Sequence, residues 1–395
     1  MKNTIGNVTT LDNFYPRPRE IERIYRSLED GNNLYLSAPR RVGKTSIMLH
    51  LCEQPRKGYV FVHENYESCA SGDKFFERLY KTILQSPVHL KRGSRIKAKV
   101  QSLKDKFEGF SAEALGVKIE VKANEKTDWV ERLQQLIKEL GAEGEKLVIM
   151  IDEFPQVVLH ILNNQGREAA AQFLHQNREL RLSHHGKQEG SFIYTGSISL
   201  HHIVSLAADI KTVNDFDYIH VEPLLREEAI DMANKILKSS KRVVALEQLE
   251  HLVDRIEWLI PFHIKLVLKE ILDLPLASDQ EITMEVVQDA FDRLLHLKNR
   301  TYFSLYFSRL EETYQGKERQ FVFKVLKLVA GDVAPTYSQL ADVAAQYDML
   351  DRCADVLDAL EIDGYIAQSA RPETYYFRSP ILKAWWIKHE SRKHH

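Results

Sequence analysis

Short apolar runs bounded by charge alternate, through the first half of the chain, with stretches whose apolar residues recur every three or four positions. That alternation predicts strands and helices wound into one α/β layer. Ile21, Ile24, Tyr25 and Leu28 fall at helical spacing behind Pro18, which suits a first helical turn, and Gly31-Asn32-Asn33 ends the helix. Leu34-Tyr35-Leu36 reads as a strand running into a tight loop, and Ile47, Met48, Leu49 and Leu51 mark the helix that follows. Gly58 opens a second strand, Tyr59 to Val62, with His63-Glu64-Asn65 as its polar exit. A helix from Asp73 to Leu84 carries Phe75, Phe76, Leu79, Tyr80 and Ile83 on one face, and another runs from Trp129 to Leu140. Leu147-Val148-Ile149-Met150-Ile151 is apolar throughout and bounded by Lys146 and Asp152, as a parallel strand buried on both faces would be. A helix with Phe173, Leu174 and Leu180 leads to a fourth strand, Ser191 to Tyr194, which ends in Thr195-Gly196-Ser197. Val213 to Val221 reads as extended, and Glu222-Pro223-Leu224 closes the layer.

Beyond about Arg226 the pattern changes. To Lys298 every signal is helical. Glu318–Ala330, Tyr337–Ala345 and Asp351–Asp363 read as three short helices, followed by strands at Tyr365-Ile366-Ala367 and Tyr375-Tyr376-Phe377 around Arg371-Pro372. A last helix carries Ile381, Leu382, Trp385 and Trp386. Three helices and a two-stranded wing predict a winged-helix domain. An insertion interrupts the first layer at about residues 91–122. Lys91, Arg92, Arg95, Lys97, Lys99, Lys104 and Lys106 flank an apolar stripe of Ile96, Val100, Leu103 and Phe107, a basic amphipathic helix at 91–106. Phe110 to Val121 alternates around Gly116 like part of a β-hairpin.

Composition narrows the classes of function. The chain has 395 residues and a net charge of −2, enough for two or three domains and with no global pull towards nucleic acid or membrane. No apolar run approaches the length of a membrane span, so no membrane partner is expected. Cys52, Cys69 and Cys353 lie far apart with no metal-ligand spacing, and an odd count without a signal peptide fits a reducing cytoplasm.

The chemistry centres on Ala38, Pro39, Arg40, Arg41, Val42, Gly43, Lys44, Thr45 and Ser46. A strand, this loop and a helix form the context that a phosphate-binding loop demands, with backbone N–H groups pointing at the β- and γ-phosphates of ATP. Ala38 stands where the first glycine of G-x-x-x-x-G-K-[ST] is usual, and is small enough for the turn. Lys44 would add a point charge between the phosphates, and Thr45 a hydroxyl for Mg2+. Asp152 would share that metal, because it ends a buried strand where open α/β sheets bind ligands. Glu153 points differently and is the natural general base for water. Thr195 and Ser197 could sense the γ-phosphate or hold the attacking water, or serve ordinary turn chemistry. Asn65 could hold Glu153 off until a partner docks. Arg178 and Arg181 are the candidates for an arginine offered to a neighbouring subunit, the alternative for each being a plain surface arginine.

The order of parts resembles AAA+ ATPases, and within them the archaeal-type ATPase group related to the STAND signal-transduction NTPases. The matching stretches are Arg17-Pro18-Arg19-Glu20-Ile21, Ala38–Ser46, the strand leading to Asp152-Glu153, and Thr195-Gly196-Ser197-Ile198-Ser199-Leu200. Asp363-Gly364-Tyr365 and Tyr376 to Trp386 match the end of that group's winged helix. The resemblance implies an α/β P-loop NTPase core over 1–225, a helical lid over 226–300 and a winged helix over 301–395. It implies that the entry segment with Arg17, and Pro261 in the lid, frame adenine and ribose. The lid's usual Gly-x-Pro reads Leu259-Ile260-Pro261, and no arginine stands beside it as a second sensor; His263 and Lys265 are the available substitutes, with a packed lid helix as the other role for that stretch.

An ATP-hydrolysing switch acting through a protein partner or homo-oligomer is therefore expected, with signalling or defence implied by resemblance alone. The alternative is a DNA-binding ATPase that loads or targets other factors. Residues 351–363 carry Asp351, Asp355, Asp358, Glu361 and Asp363 against Arg352 alone, and such a reading helix would be repelled by phosphate. Nucleic acid, the less favoured partner, would have to use the basic helix at 91–106.

Overall fold

The β-branched and aromatic runs form strands in the computed structural model, which describes residues 1–5, 13–85, 95–102, 128–184, 190–275, 281–370 and 373–391. In chain order the first half comprises α1 (Pro18–Glu29), β1 (Asn33–Ser37), α2 (Lys44–Glu53), β2 (Tyr59–Asn65), α3 (Gly72–Gln85), α4 (95–102) and α5 (Trp129–Gly141). It continues with β3 (Lys146–Asp152), α6 (Phe154–Gln165), α7 (Arg167–His184), β4 (Ser191–Gly196), α8 (Leu200–Ala207) and β5 (Phe216–His220). The five strands form one parallel sheet in the order β2-β3-β4-β1-β5, flanked by helices. From β1 the chain passes over two strand positions to build β2 at the edge, and β3 and β4 later fill the gap. The end of β1 therefore lies where strand order reverses, the place at which such sheets take ligands.

Two differences from the sequence reading concern strand ends. His63-Glu64-Asn65 is still strand, paired with Met150, Ile151 and Asp152, because the parallel partner supplies hydrogen bonds that polar side chains do not forbid. Of Val213–Val221, the start belongs to a 3-10 turn, Ile210–Val213, whose N-cap Asp209 accepts from Lys211 N at 2.8 Å. Residues 95–102 are helical with Ile96 and Val100 buried. The remaining ends of the basic helix, the hairpin at Phe110 to Val121, and Arg371-Pro372 lie outside the described residues.

The chain divides into two bodies. One comprises Pro16–Ser37 and Lys44–His220. Its core packs Phe154 edge-on to Tyr194 at 4.8 Å and Phe173 edge-on to Phe75 at 5.0 Å. The other comprises Met1–Tyr15, Ala38–Gly43 and Val221–His395. It holds α9 (Arg226–Ser239), α10 (Leu246–Ile256), α11 (Pro261–Leu272), α12 (Met284–Leu294), α13 (Arg300–Thr313), α14 (Gly316–Val329), α15 (Tyr337–Gln346) and α16 (Cys353–Ile362). The antiparallel pair β6 (Ile366–Ala370) and β7 (Glu373–Phe377) follows, then α17 (Pro380–Trp385). Trp385 stacks on Phe303 of α13 at 4.4 Å, and the Tyr365 hydroxyl donates to the Tyr306 carbonyl at 2.5 Å. No helix among the described residues is long and apolar enough to cross a membrane.

Candidate functional site

Four elements of the sheet body bring polar side chains to one place. Thr45 stands in the first turn of α2, beside Lys44, which is buried. Asp152 ends β3 and is 1% exposed. The Thr45 hydroxyl donates to Asp152 Oδ2 at 2.7 Å, and the Thr195 hydroxyl from the end of β4 donates to Oδ1 at 2.5 Å. The Glu153 backbone N–H also donates to Oδ1, at 3.0 Å. Burial pushes the Asp152 carboxyl up, but the nearby His63 imidazole and the hydroxyls of Thr195 and Thr45 outweigh it and hold the group below the usual carboxylate range. Such a concentration of buried charge and hydroxyls has a structural cost that an apolar core would avoid, which makes it the candidate site.

Glu153 sits apart from Asp152 in chemistry. Its backbone is left-handed, φ 60 and ψ 38, a conformation that costs a non-glycine residue on the order of 1 kcal/mol. This turn re-aims its carboxylate, whose Oε2 accepts from the Ser197 backbone N–H at 3.1 Å and from the Ser197 hydroxyl at 2.8 Å. Gly196 is required between Thr195 and Ser197, because a Cβ there would strike the Pro155 ring and come within 2.8 Å of the Tyr35 hydroxyl. Asn65 does not perform the holding role: its side-chain oxygen accepts from Glu67 N at 2.9 Å, and Ser197 engages Glu153 instead.

The loop residues Ala38–Gly43 belong by their contacts to the other body. Ala38 and Val42 are buried, while Arg41 and Gly43 have φ of 68 and 117, so the backbone alternates hand within the loop. The Arg41 guanidinium lies 3.9 Å over the Phe262 ring. Pro39 abuts Gly364: a Cβ on Gly364 would come within 2.7 Å of both the Pro39 Cβ and Trp258. Pro261 starts α11. His263 is wholly buried, and burial, with the Arg41 charge acting in the same direction, pushes its imidazole down to about 3. Burial brings the Lys265 ammonium down to about 8. Arg17 is buried at the N-cap of α1, 3.5 Å from Glu20.

The arginine candidates separate. Arg181 is wholly buried, with a bidentate pair to Asp215 at 2.8 Å and 2.8 Å, a third bond to the Thr212 carbonyl at 2.8 Å, and its guanidinium 4.3 Å over Phe216. A side chain so enclosed cannot be offered to a neighbouring subunit, which corrects the expectation for Arg181. Arg178 is partly exposed and reaches Asn214 at 3.4 Å.

One residue escaped the sequence reading. His63 Nε2 is buried without a hydrogen-bond partner and lies 3.8 Å from Asp152 Oδ2. Register explains it. Residues paired in a parallel sheet share a face, so His63, opposite Met150, stands on the same face as Asp152 two residues on. The period-2 offset of His63 from Asn65 was a visible signal, but the neighbour of β2 in the sheet was not.

No family model matches the chain, and no curated protein does. Among solved structures it is similar to a Walker-type ATPase of Pyrococcus abyssi, at 17% identity over 98% of this chain and 100% of that one, with a TM-score of 0.62. It is also similar to the ORC2 protein of Aeropyrum pernix in its ADPNP–ADP complexes, at 11% identity over 97% and 96% of the two chains, with a TM-score of 0.51. The chain thus has the fold of a Walker-type ATPase: a parallel sheet flanked by helices, then a helical C-terminal region.

Proposed function

We propose that the protein binds and hydrolyses ATP and acts as a nucleotide-dependent switch on a protein partner or a further copy of itself. The observation that carries this reading is the convergence of Thr45, Asp152, Thr195, Glu153 and Ser197, from separate segments, into one hydrogen-bonded set beside Lys44. Bound Mg-ATP would supply the γ-phosphoryl group and the charge that neutralises it. Thr45 and Asp152 fit a hard cation, being a hydroxyl and an ionised carboxylate in contact. Lys44 would face the phosphates. Glu153 would take the proton of an attacking water at its carboxylate, a role that requires Ser197 to release or share Oε2. Arg178 would be the arginine presented to a second copy. Arg17 and Pro261 would frame the base and ribose.

The contact of Pro39 with Gly364 and Trp258 supports a switch, because a change in the loop's backbone would be felt directly at the root of β6. We further propose a helical lid over 226–300 and a winged helix over 301–395. The exposed Asp355 and Asp358 of α16 favour a protein partner over DNA. The test is steady-state ATP turnover of wild type and Glu153→Gln. We expect a loss of about 10²–10⁴-fold in the variant with nucleotide binding retained. Equal turnover would reject Glu153 as the base.

A further inference from the structure

Within the ATP-binding reading above, on which this inference rests, we infer that His63 is a positioning residue for the nucleotide's metal ion. Three observations converge. The Nε2 atom of His63 is buried and has no hydrogen-bond partner, an arrangement that native proteins rarely tolerate without a ligand or water to complete it. It lies 3.8 Å from Asp152 Oδ2, too far for a direct hydrogen bond. That same oxygen accepts the Thr45 hydroxyl at 2.7 Å, whereas Oδ1 is occupied by Thr195 and by Glu153 N–H. The imidazole therefore addresses the one carboxylate oxygen that also meets Thr45.

Protein groups alone do not make a closed metal site here. Among the described residues no three His, Cys, Asp or Glu side chains form a group that could hold an ion. A cation such as Mg2+ keeps waters and takes phosphate oxygens from its nucleotide, so Thr45 and Asp152 would suffice as its protein ligands without a protein cage. His63 would complete that arrangement from the outside, by holding a metal-bound water through Nε2. Partners of this kind orient the ligands, and their loss costs roughly 10–100-fold in metal affinity. The strand supports the role: β2 fixes the His63 backbone between the residues paired with Leu147–Asp152 on its neighbour, so the ring is held by sheet geometry and not by a loop.

Equilibrium binding of a fluorescent ATP analogue, measured with Mg2+ and with excess chelator, separates this role from a packing role. For His63→Leu we expect affinity without metal to match wild type, and affinity with Mg2+ to fall by about 10-fold or more. His63→Gln, whose amide can still hold a water, should recover most of the loss. Thermal melts of both variants report folding separately, and pulsed EPR of the Mn2+-substituted wild-type complex should show a weakly coupled imidazole nitrogen that His63→Gln lacks. Equal metal dependence in wild type and His63→Leu, or absence of a histidine nitrogen near Mn2+, would overturn the inference while leaving the ATP-binding reading intact. If wild type binds no nucleotide with or without metal, that broader reading fails and this inference falls with it.

Discussion

At the scale of single residues, the hydroxyl of Thr195 has the plainest measurable effect. It is wholly buried and donates to Asp152 Oδ1, so Thr195→Val leaves one oxygen of a buried carboxylate short of a donor. The expected cost is about 1–3 kcal/mol in chemical denaturation, together with a rise in the Asp152 pKa. Because that pKa is held down in the folded state, its contribution to stability is present above the unfolded carboxyl pKa and is lost as pH falls through the lower folded value. His263 has a separate signature. Its folded pKa of about 3 lies below the ordinary 6.5, so the folded state resists a proton that the unfolded chain accepts. Stability must fall as pH drops below about 6.5, by about 2 kcal/mol at pH 5. His263→Phe should flatten that slope between pH 7 and 5 in urea titrations, and an unchanged slope would count against the buried neutral imidazole. Lys44, Thr45, Asp152 and Glu153 were legible in the sequence because loop chemistry and an apolar run with an acidic end are local patterns. His63 and the Ser197–Glu153 bond were not, because each depends on which strand lies beside which.

At the scale of elements, the apolar run before Asp152 had one reading, and β3 is the buried strand it foretold. The helix α6 behind it was hidden. It starts within two residues of the acids, and its left-handed Glu153 is a conformation that sequence disfavours. Arg181 on α7 was misread for a related reason: helical spacing says which residues share a face, but not that Asp215, far along the chain, would neutralise an arginine inside the core. Asp215→Ala should leave that guanidinium buried and uncompensated, a loss of about 3–5 kcal/mol detectable in denaturant unfolding. A loss below about 1 kcal/mol would mean that the Thr212 carbonyl and the Phe216 ring suffice. The root of β6 offers a complementary test. Gly364 has φ 81, and an added Cβ would meet Pro39 and Trp258 at 2.7 Å, so Gly364→Ala must displace Pro39. ATP affinity should then fall measurably although the variant changes no phosphate-binding side chain, and unchanged affinity would show that the loop tolerates the shift.

At the scale of the whole molecule, the patterning turns all-helical at about Arg226, whereas the sheet body ends at His220 and the other body resumes at Val221. The membership of Ala38–Gly43 in that second body was not legible, since the loop is flanked on both sides by residues of the first. The acidic face of α16 leads to the expectation that duplex DNA leaves ATP turnover unchanged, measured with and without added DNA at low salt, where electrostatic binding is strongest. A several-fold stimulation would favour the nucleic-acid reading instead. The expectations about nucleotide affinity and turnover presuppose a working phosphate site. The most direct measurement is an equilibrium titration of fluorescent ATP analogue with Mg2+ into wild type and Lys44→Ala. Saturable binding at one site per chain, weakened roughly 100-fold by the substitution, is expected from loss of a charged donor at the phosphates. Equal binding by the two proteins, or none by wild type, would contradict it.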